Sequence, residues 1–260
     1  MARSDHYAHR ARQAGYRSRA AYKLRQLDDG VHLFEGGEVV VDLGAAPGGW
    51  LQVAAERVGN SGHVIGVDRA SIEPLDDAEA QVTTMQGDIT DETTIEALRD
   101  VVGERGADVV LSDMAPDMSG QYDLDHARSI HLAETAHEVA AGLLRSGGDF
   151  VVKVFEGRDF AAFRRRIEQD FEFVRTTSPD ASRESSSEVY VIGKGYLTAP
   201  VDIDEELEVT IQDVGSEGDG IARIDGYTVF VPETEPGDDV VIRITDRKER
   251  FGFAERLRDR

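Results

Sequence analysis

The chain contains no cysteine, which excludes disulfides and cysteine-ligated metals. It has no run of about 18 apolar residues and no signal-like N-terminus, so a soluble, cytoplasmic protein without membrane contact is expected. Its seven histidines lack HExxH-type spacing, and no metal is expected. Lysine is scarce beside arginine, and together they number 29 against 51 acids, a net charge of −22. Such acidity disfavours a polyanionic partner. It also suits a cytoplasm at very high salt, where surface carboxylates keep a protein hydrated. On that reading the bulk charge is halophilic in origin, and the local exceptions carry the functional information.

What is present begins with Val39-Val40-Val41-Asp42-Leu43-Gly44-Ala45-Ala46-Pro47-Gly48-Gly49-Trp50-Leu51-Gln52. The β-branched run predicts a buried parallel strand, and the apolar spacing from Leu51 to Val58 predicts a helix. The glycines and proline between them form the first turn of a nucleotide-type doubly wound α/β fold, with a ligand against bare backbone at a helix N-terminus. The spacing is not GxGxxG, which argues against a nicotinamide enzyme. The other reading is a plain strand-to-helix turn.

Further strands are predicted at 62–68, 81–88, 107–113 and 149–155, then at 171–176 and 188–194. Four acids, Asp42, Asp68, Asp88 and Asp113, fall at strand ends, on the rim where doubly wound sheets bind ligands. Asp68 suits the two hydroxyls of an adenosine ribose, with a helix N-cap as the alternative. Asp88 suits an adenine amino group or, equally, a cap for a helix starting near Asp91. Lys153 interrupts an apolar strand near its carboxyl end, an expensive position unless the amine is paired or functional. Helices are expected over 125–144 and 159–169.

The strongest charge exception is residues 1–25, where Arg3, Arg10, Arg12, Arg17, Arg19, Lys23 and Arg25 face a single acid, Asp5, with Tyr7, Tyr16 and Tyr22 interleaved. Basic residues mixed with rings suit a phosphate backbone with stackable bases, the alternative being a solvated tail. Arg164, Arg165 and Arg166 are open to either RNA or solvent. Residues 178–187 are polar and read as a mobile loop. From residue 202 to 260, short alternating strands broken by glycine-rich turns indicate a small β-barrel. Arg243, Arg247, Arg250, Arg256, Arg258 and Arg260 hint at one basic side of it.

Together, Tyr16 to Leu24, Asp42 to Trp50, Leu111 to Pro116, Val152 to Phe155 and Ser187 to Tyr190 resemble the FtsJ/RlmE family of 2′-O-ribose methyltransferases. Gly218 to Arg223 and Pro236 to Asp238 resemble the TRAM domain, an RNA-binding barrel. The resemblance implies a Rossmann-like methyltransferase domain over 1–197, with 1–25 as an RNA-contacting arm, and a TRAM barrel over 202–260. It implies catalytic Lys153, Lys23, Asp113 and Glu188. S-adenosylmethionine would be held by Gly44, Pro47, Gly48, Gly49, Trp50, Asp68, Asp88 and Asp113. The implied substrate is a uridine ribose in ribosomal RNA of the large subunit, modified by a monomer. A tRNA ribose methyltransferase and a catalytically idle ribosome-assembly protein are the alternatives. Burial and a neighbouring Lys23 would favour the neutral amine of Lys153, a candidate base, while Asp113 and Glu188 would oppose this.

Overall fold

The computed structural model describes residues 3–182, 187–248 and 250–259. The centre of the predicted mobile loop, 183–186, lies outside the described residues, as does Arg260. Helices α1 (Arg3–Gln13) and α2 (Ala20–Val31) precede β1 (Val39–Leu43), α3 (Gly49–Val58), β2 (His63–Asp68) and β3 (Gln81–Gln86). Then come α4 (Glu92–Val102), β4 (Ala107–Ser112), α5 (Tyr122–Ala141), β5 (Leu144–Phe155), α6 (Phe160–Asp170), β6 (Phe171–Thr177) and β7 (Glu188–Tyr196). Seven strands form one sheet in the order β3-β2-β1-β4-β5-β7-β6, with β7 antiparallel to both of its neighbours.

The sheet is doubly wound because its strands are apolar on both faces. Val41, Val110 and Val152 pack with Leu98, Ile130 and Phe163 on one side, and Val40, Leu111 and Val151 with Leu24 and Leu51 on the other. Each such buried side chain contributes about 1.5–3 kcal/mol relative to exposure. Two boundaries differ from expectation. Helix α5 starts at Tyr122 because the Asp125 carboxylate reaches back to Ser119 N and Gly120 N, at 2.8 and 3.0 Å, and so ends the loop earlier. Strand β5 starts at Leu144 and absorbs Gly147-Gly148 as an irregularity in its pairing with β4.

The remaining strands are β8 (Glu206–Thr210), β9 (Asp213–Val214), β10 (Gly220–Ile224), β11 (Tyr227–Val231), β12 (Asp239–Arg247) and β13 (Phe251–Asp259). They curl in the order β8-β12-β13-β11-β10-β9 around Val229, Val240, Ile242 and Ile244. The predicted barrel is open: β8 and β9 are its edges, which makes it a half-barrel. Buried Arg247, at the end of β12, donates to Gln169 O, Asp170 Oδ1, Val201 O and Asp202 Oδ1. One guanidinium thus ties the half-barrel to the end of α6.

Candidate active site

Parallel pairing places Leu43 beside Ser112 and Ser112 beside Val152. The next residues out, Gly44, Asp113 and Lys153, therefore share the carboxyl rim of the sheet. Antiparallel pairing sets Tyr190 opposite Lys153, and Glu188, two residues from Tyr190, falls on the same face. Lys23 arrives from α2.

These side chains form one buried network. Lys153 Nζ lies 2.9 Å from Asp113 Oδ1 and also donates to the Asp113 carbonyl. Lys23 Nζ is 2.6 Å from Glu188 Oε1, 3.1 Å from the Tyr190 hydroxyl and 3.9 Å from Asp113 Oδ1. Tyr190 donates to Asp113 Oδ1 at 2.6 Å, and Ser182 Oγ donates to Glu188 Oε1 at 2.8 Å. Burial alone would raise the Asp113 carboxyl, but the Lys153 and Lys23 ammoniums and the Tyr190 hydroxyl together hold it below the usual carboxylate range. Burial pushes the Tyr190 hydroxyl well above its ordinary value, and the neighbouring carboxylates of Asp113 and Glu188 push it the same way. All four sequence-derived candidates, Lys23, Asp113, Lys153 and Glu188, are therefore brought together. Tyr190 is the member that sequence reasoning noted only as a neighbour; the cross-strand register was the signal that would have found it.

Beside the network lies a cavity of ≈ 410 Å³ lined by Gly44, Ala46, Asp68, Asp88, Asp113, Met114 and others. Asp68 ties it together by accepting from Ala46 N at 3.0 Å and Ala70 N at 2.7 Å. Asp88 accepts from the backbone and hydroxyl of Thr90, and its carboxyl titrates low as a result. Asp42 sits within β1 rather than at its end. Both its oxygens are buried without a hydrogen-bond partner among the described residues. Burial, with Asp113 and Asp68 adding to it, drives its carboxyl well above the ordinary range. A pocket lined by three carboxyls, Asp68, Asp88 and Asp113, fits a ligand that carries positive charge.

The other face of the glycine turn is occupied by the chain itself. Arg17 donates to Pro47 O at 3.1 Å and also to Glu73 O and Pro74 O. A β-carbon at Gly48 would stand 2.8 Å from Arg17 Nη1, one at Gly49 2.3 Å from Ser18 Oγ, and one at Gly44 2.3 Å from Met114 Cγ. Gly44 and Gly48 also adopt positive φ, +80° and +105°. Gly48 and Gly49 thus admit the chain's own strap, and Gly44 lines the cavity. Trp50 is buried, donates Nε1 to Ala20 O at 2.8 Å and packs its ring 5.9 Å from that of Tyr190, walling the site.

Several of the basic and aromatic candidates make contacts within the chain. Tyr16 is buried and donates to Glu56 at 2.7 Å, so its ring does not stack on a base. Arg10 lies over the rings of Tyr7 and Tyr22, and Arg25 donates to the Tyr16 hydroxyl. Arg164 pairs with Glu168 and Arg166 with Glu134 and Glu138. In the half-barrel, Arg243 pairs with Glu206 and Glu255, Arg247 is buried against Asp170 and Asp202, and Arg256 donates to Glu233 O.

A buried lysine-carboxylate network beside an acidic, glycine-floored cavity is the architecture of a group-transfer enzyme. The family model for FtsJ-like methyltransferases matches residues 16–196, and the chain belongs to that family; the TRAM domain model matches residues 201–257. The chain is 56% identical over 257 residues to the ribosomal RNA large subunit methyltransferase E of Halorubrum lacusprofundi, across 99% of this chain and 95% of that one. It is 57% identical to the protein of the same name from Natronomonas pharaonis, across 99% of this chain and all of that one. A solved ribosomal RNA methyltransferase from Plasmodium falciparum superposes with a TM-score of 0.62 at 28% identity, covering 70% of this chain and 98% of its own.

Proposed function

We propose that this protein transfers a methyl group from S-adenosylmethionine to the 2′-hydroxyl of a ribose, on a uridine, in large-subunit ribosomal RNA, acting as a monomer in the cytoplasm. The observation that carries the reading is the Lys153-Asp113-Lys23-Glu188 network opening onto the cavity of Gly44, Asp68 and Asp88. The curated relatives support the choice of RNA.

The donor would supply a methyl already activated on a positively charged sulfur. The chain's own work is to bring in a ribose oxygen and manage its proton. Asp68 would accept from ribose hydroxyls and Asp88 from an adenine amino group. Lys153, as the neutral amine, would hold the 2′-hydroxyl and accept its proton at Nζ as the oxygen takes the methyl, leaving an ammonium paired with Asp113. Its two contacts with Asp113 leave one direction of the tetrahedral nitrogen for that oxygen. Lys23, fixed by Glu188 and Tyr190, would keep Asp113 ionised and aimed at Lys153. The division into a methyltransferase domain over 1–197 and a TRAM domain over 202–260 belongs to the same reading. In the second domain Phe251 and Phe253, half-exposed and packed with Phe230, offer a surface on which bases can stack.

The test uses large subunits and tRNA from cells lacking the protein, incubated with it and with radiolabelled methyl donor at high salt. Methyl incorporation into large-subunit RNA, lost in Lys153→Ala while RNA binding persists, supports the reading. Incorporation into tRNA alone, or RNA binding with no incorporation, overturns it.

A further inference from the structure

The loop leaving β4 runs from the cavity to the rim. Met114, at its start, packs on Gly44 and lines the cavity. The far end is held by Asp125, which accepts from Ser119 N, Ser119 Oγ and Gly120 N at 2.7–3.0 Å, and those bonds hold its carboxyl below the usual range. A loop fastened this firmly nevertheless presents Met118 at 64% exposure, Tyr122 at 60% and Leu124 at 38%. Up to residue 196, these are three of the four large apolar side chains exposed among the described residues, Phe173 being the other. A concentration of exposed apolar surface beside a cleft indicates a contact site.

Tyr122 begins α5 and lies three and four residues before buried Asp125 and His126, so it continues the inward stripe of that helix beyond the core. The stripe is clamped to the end of β5: His126 Nδ1 lies 3.0 Å from Phe155 O, and Ser129 Oγ accepts from Phe155 N at 3.0 Å. The Tyr122 hydroxyl donates to Glu156 O at 2.7 Å, three residues past Lys153. The ring therefore bridges the loops that follow the Asp113 strand and the Lys153 strand. It is anchored at its hydroxyl and open on its face.

We infer that Tyr122, with Met118 four residues before it on the same loop, is the seat for the base of the nucleotide whose ribose is methylated. The inference rests on the RNA-methylating function proposed above. A reaction at a 2′-oxygen needs the attached base held outside the reacting centre, yet within one sugar's width of it. A flat ring and a polarisable thioether suit a base removed from its stack, whatever its identity. Fixing the ring through its hydroxyl lowers the entropy lost when the base docks. Tyr122 is thus a substrate-positioning residue, and the chemistry stays with the lysine network.

The experiment measures kcat and KM for unmethylated large-subunit RNA, together with methyl-donor affinity, for the full-length protein and its Tyr122→Ala, Tyr122→Phe and Met118→Ala variants. Tyr122→Ala should raise KM for RNA roughly tenfold, the loss expected from removing one base-stacking ring, with donor affinity unchanged. Tyr122→Phe keeps the ring and should stay within about threefold of the parent; Met118→Ala should fall between the two. An active parent with an unaffected Tyr122→Ala overturns this inference alone, as does a Tyr122→Phe variant as impaired as Tyr122→Ala. A parent inactive on every RNA overturns the proposed function and this inference with it.

Discussion

The two ends of the seven-stranded sheet both bury charge, but they do so differently. At the amino end, Asp108 accepts from Val39 N at 2.7 Å, Arg145 Nε at 2.5 Å and Arg105 Nη2 at 3.1 Å. Burial alone would raise its carboxyl, but the Val39 amide and the Arg145 guanidinium outweigh it and hold the group low. The guanidiniums fork across loop ends, and the acid is saturated. At the carboxyl end, two lysines share Asp113, Tyr190 links Asp113 to Lys23, and Asp42 below is left with no partner among the described residues. Buried ion pairs alone therefore do not mark a site. Compact amines with a direction to spare, next to an unsatisfied acid and a cavity, do.

The comparison is broken most directly at Lys153. Lys153→Ala should lower methyl transfer by the folded protein by about 10²–10⁴. Activity within tenfold of the parent would erase the functional distinction between the two ends. Asp108→Ala should do the reverse. It leaves the Val39 amide without its acceptor while the exposed Arg105 and Arg145 return to water, costing about 1–3 kcal/mol in denaturant unfolding, while kcat of the folded fraction is retained.

Tyr190→Phe is a subtler probe of the carboxyl end. It removes a buried hydroxyl that donates to Asp113 and accepts from Lys23, so a loss of about 1–3 kcal/mol in stability is expected. The pH dependence of methyl transfer should shift with it, since Asp113 then loses one of the groups that hold its carboxyl low. An unchanged profile would detach Tyr190 from the network.

The smallest effect concerns Asp42. Its carboxyl titrates well above the ordinary value, so folding takes up a proton there. The associated stability is present at acid pH and declines as pH rises from the ordinary aspartate range toward the elevated folded value. Asp42→Asn removes that decline. Without bound donor, the variant should match the parent in acid and exceed it by on the order of 1 kcal/mol near neutrality. A variant less stable than the parent at neutral pH would show that the acid has a partner.

Much of this was legible in the sequence because it is local. Val39 to Val41 read as a buried strand, and Lys153 stood out because a lysine in an apolar run is costly. What was hidden depends on pairing between distant segments. Tyr190 gains its role from standing opposite Lys153, and Arg247 from meeting Asp170, 77 positions earlier. The arginines and tyrosines of the first 25 residues stood out by composition, which does not show where individual side chains turn. In the folded chain Arg17 caps three carbonyls and Tyr16 is buried against Glu56. The open edges of the half-barrel were likewise invisible, since turn spacing does not reveal whether the last strand closes on the first.

Arg17 has a consequence for how the molecule is loaded. The same short stretch supplies Lys23 to the lysine-carboxylate network and, through one guanidinium, sets the outline of the glycine turn and of the 73–74 bend. The lysine network and the glycine turn therefore share a keystone near the start of the chain. Loosening it would slacken both at once.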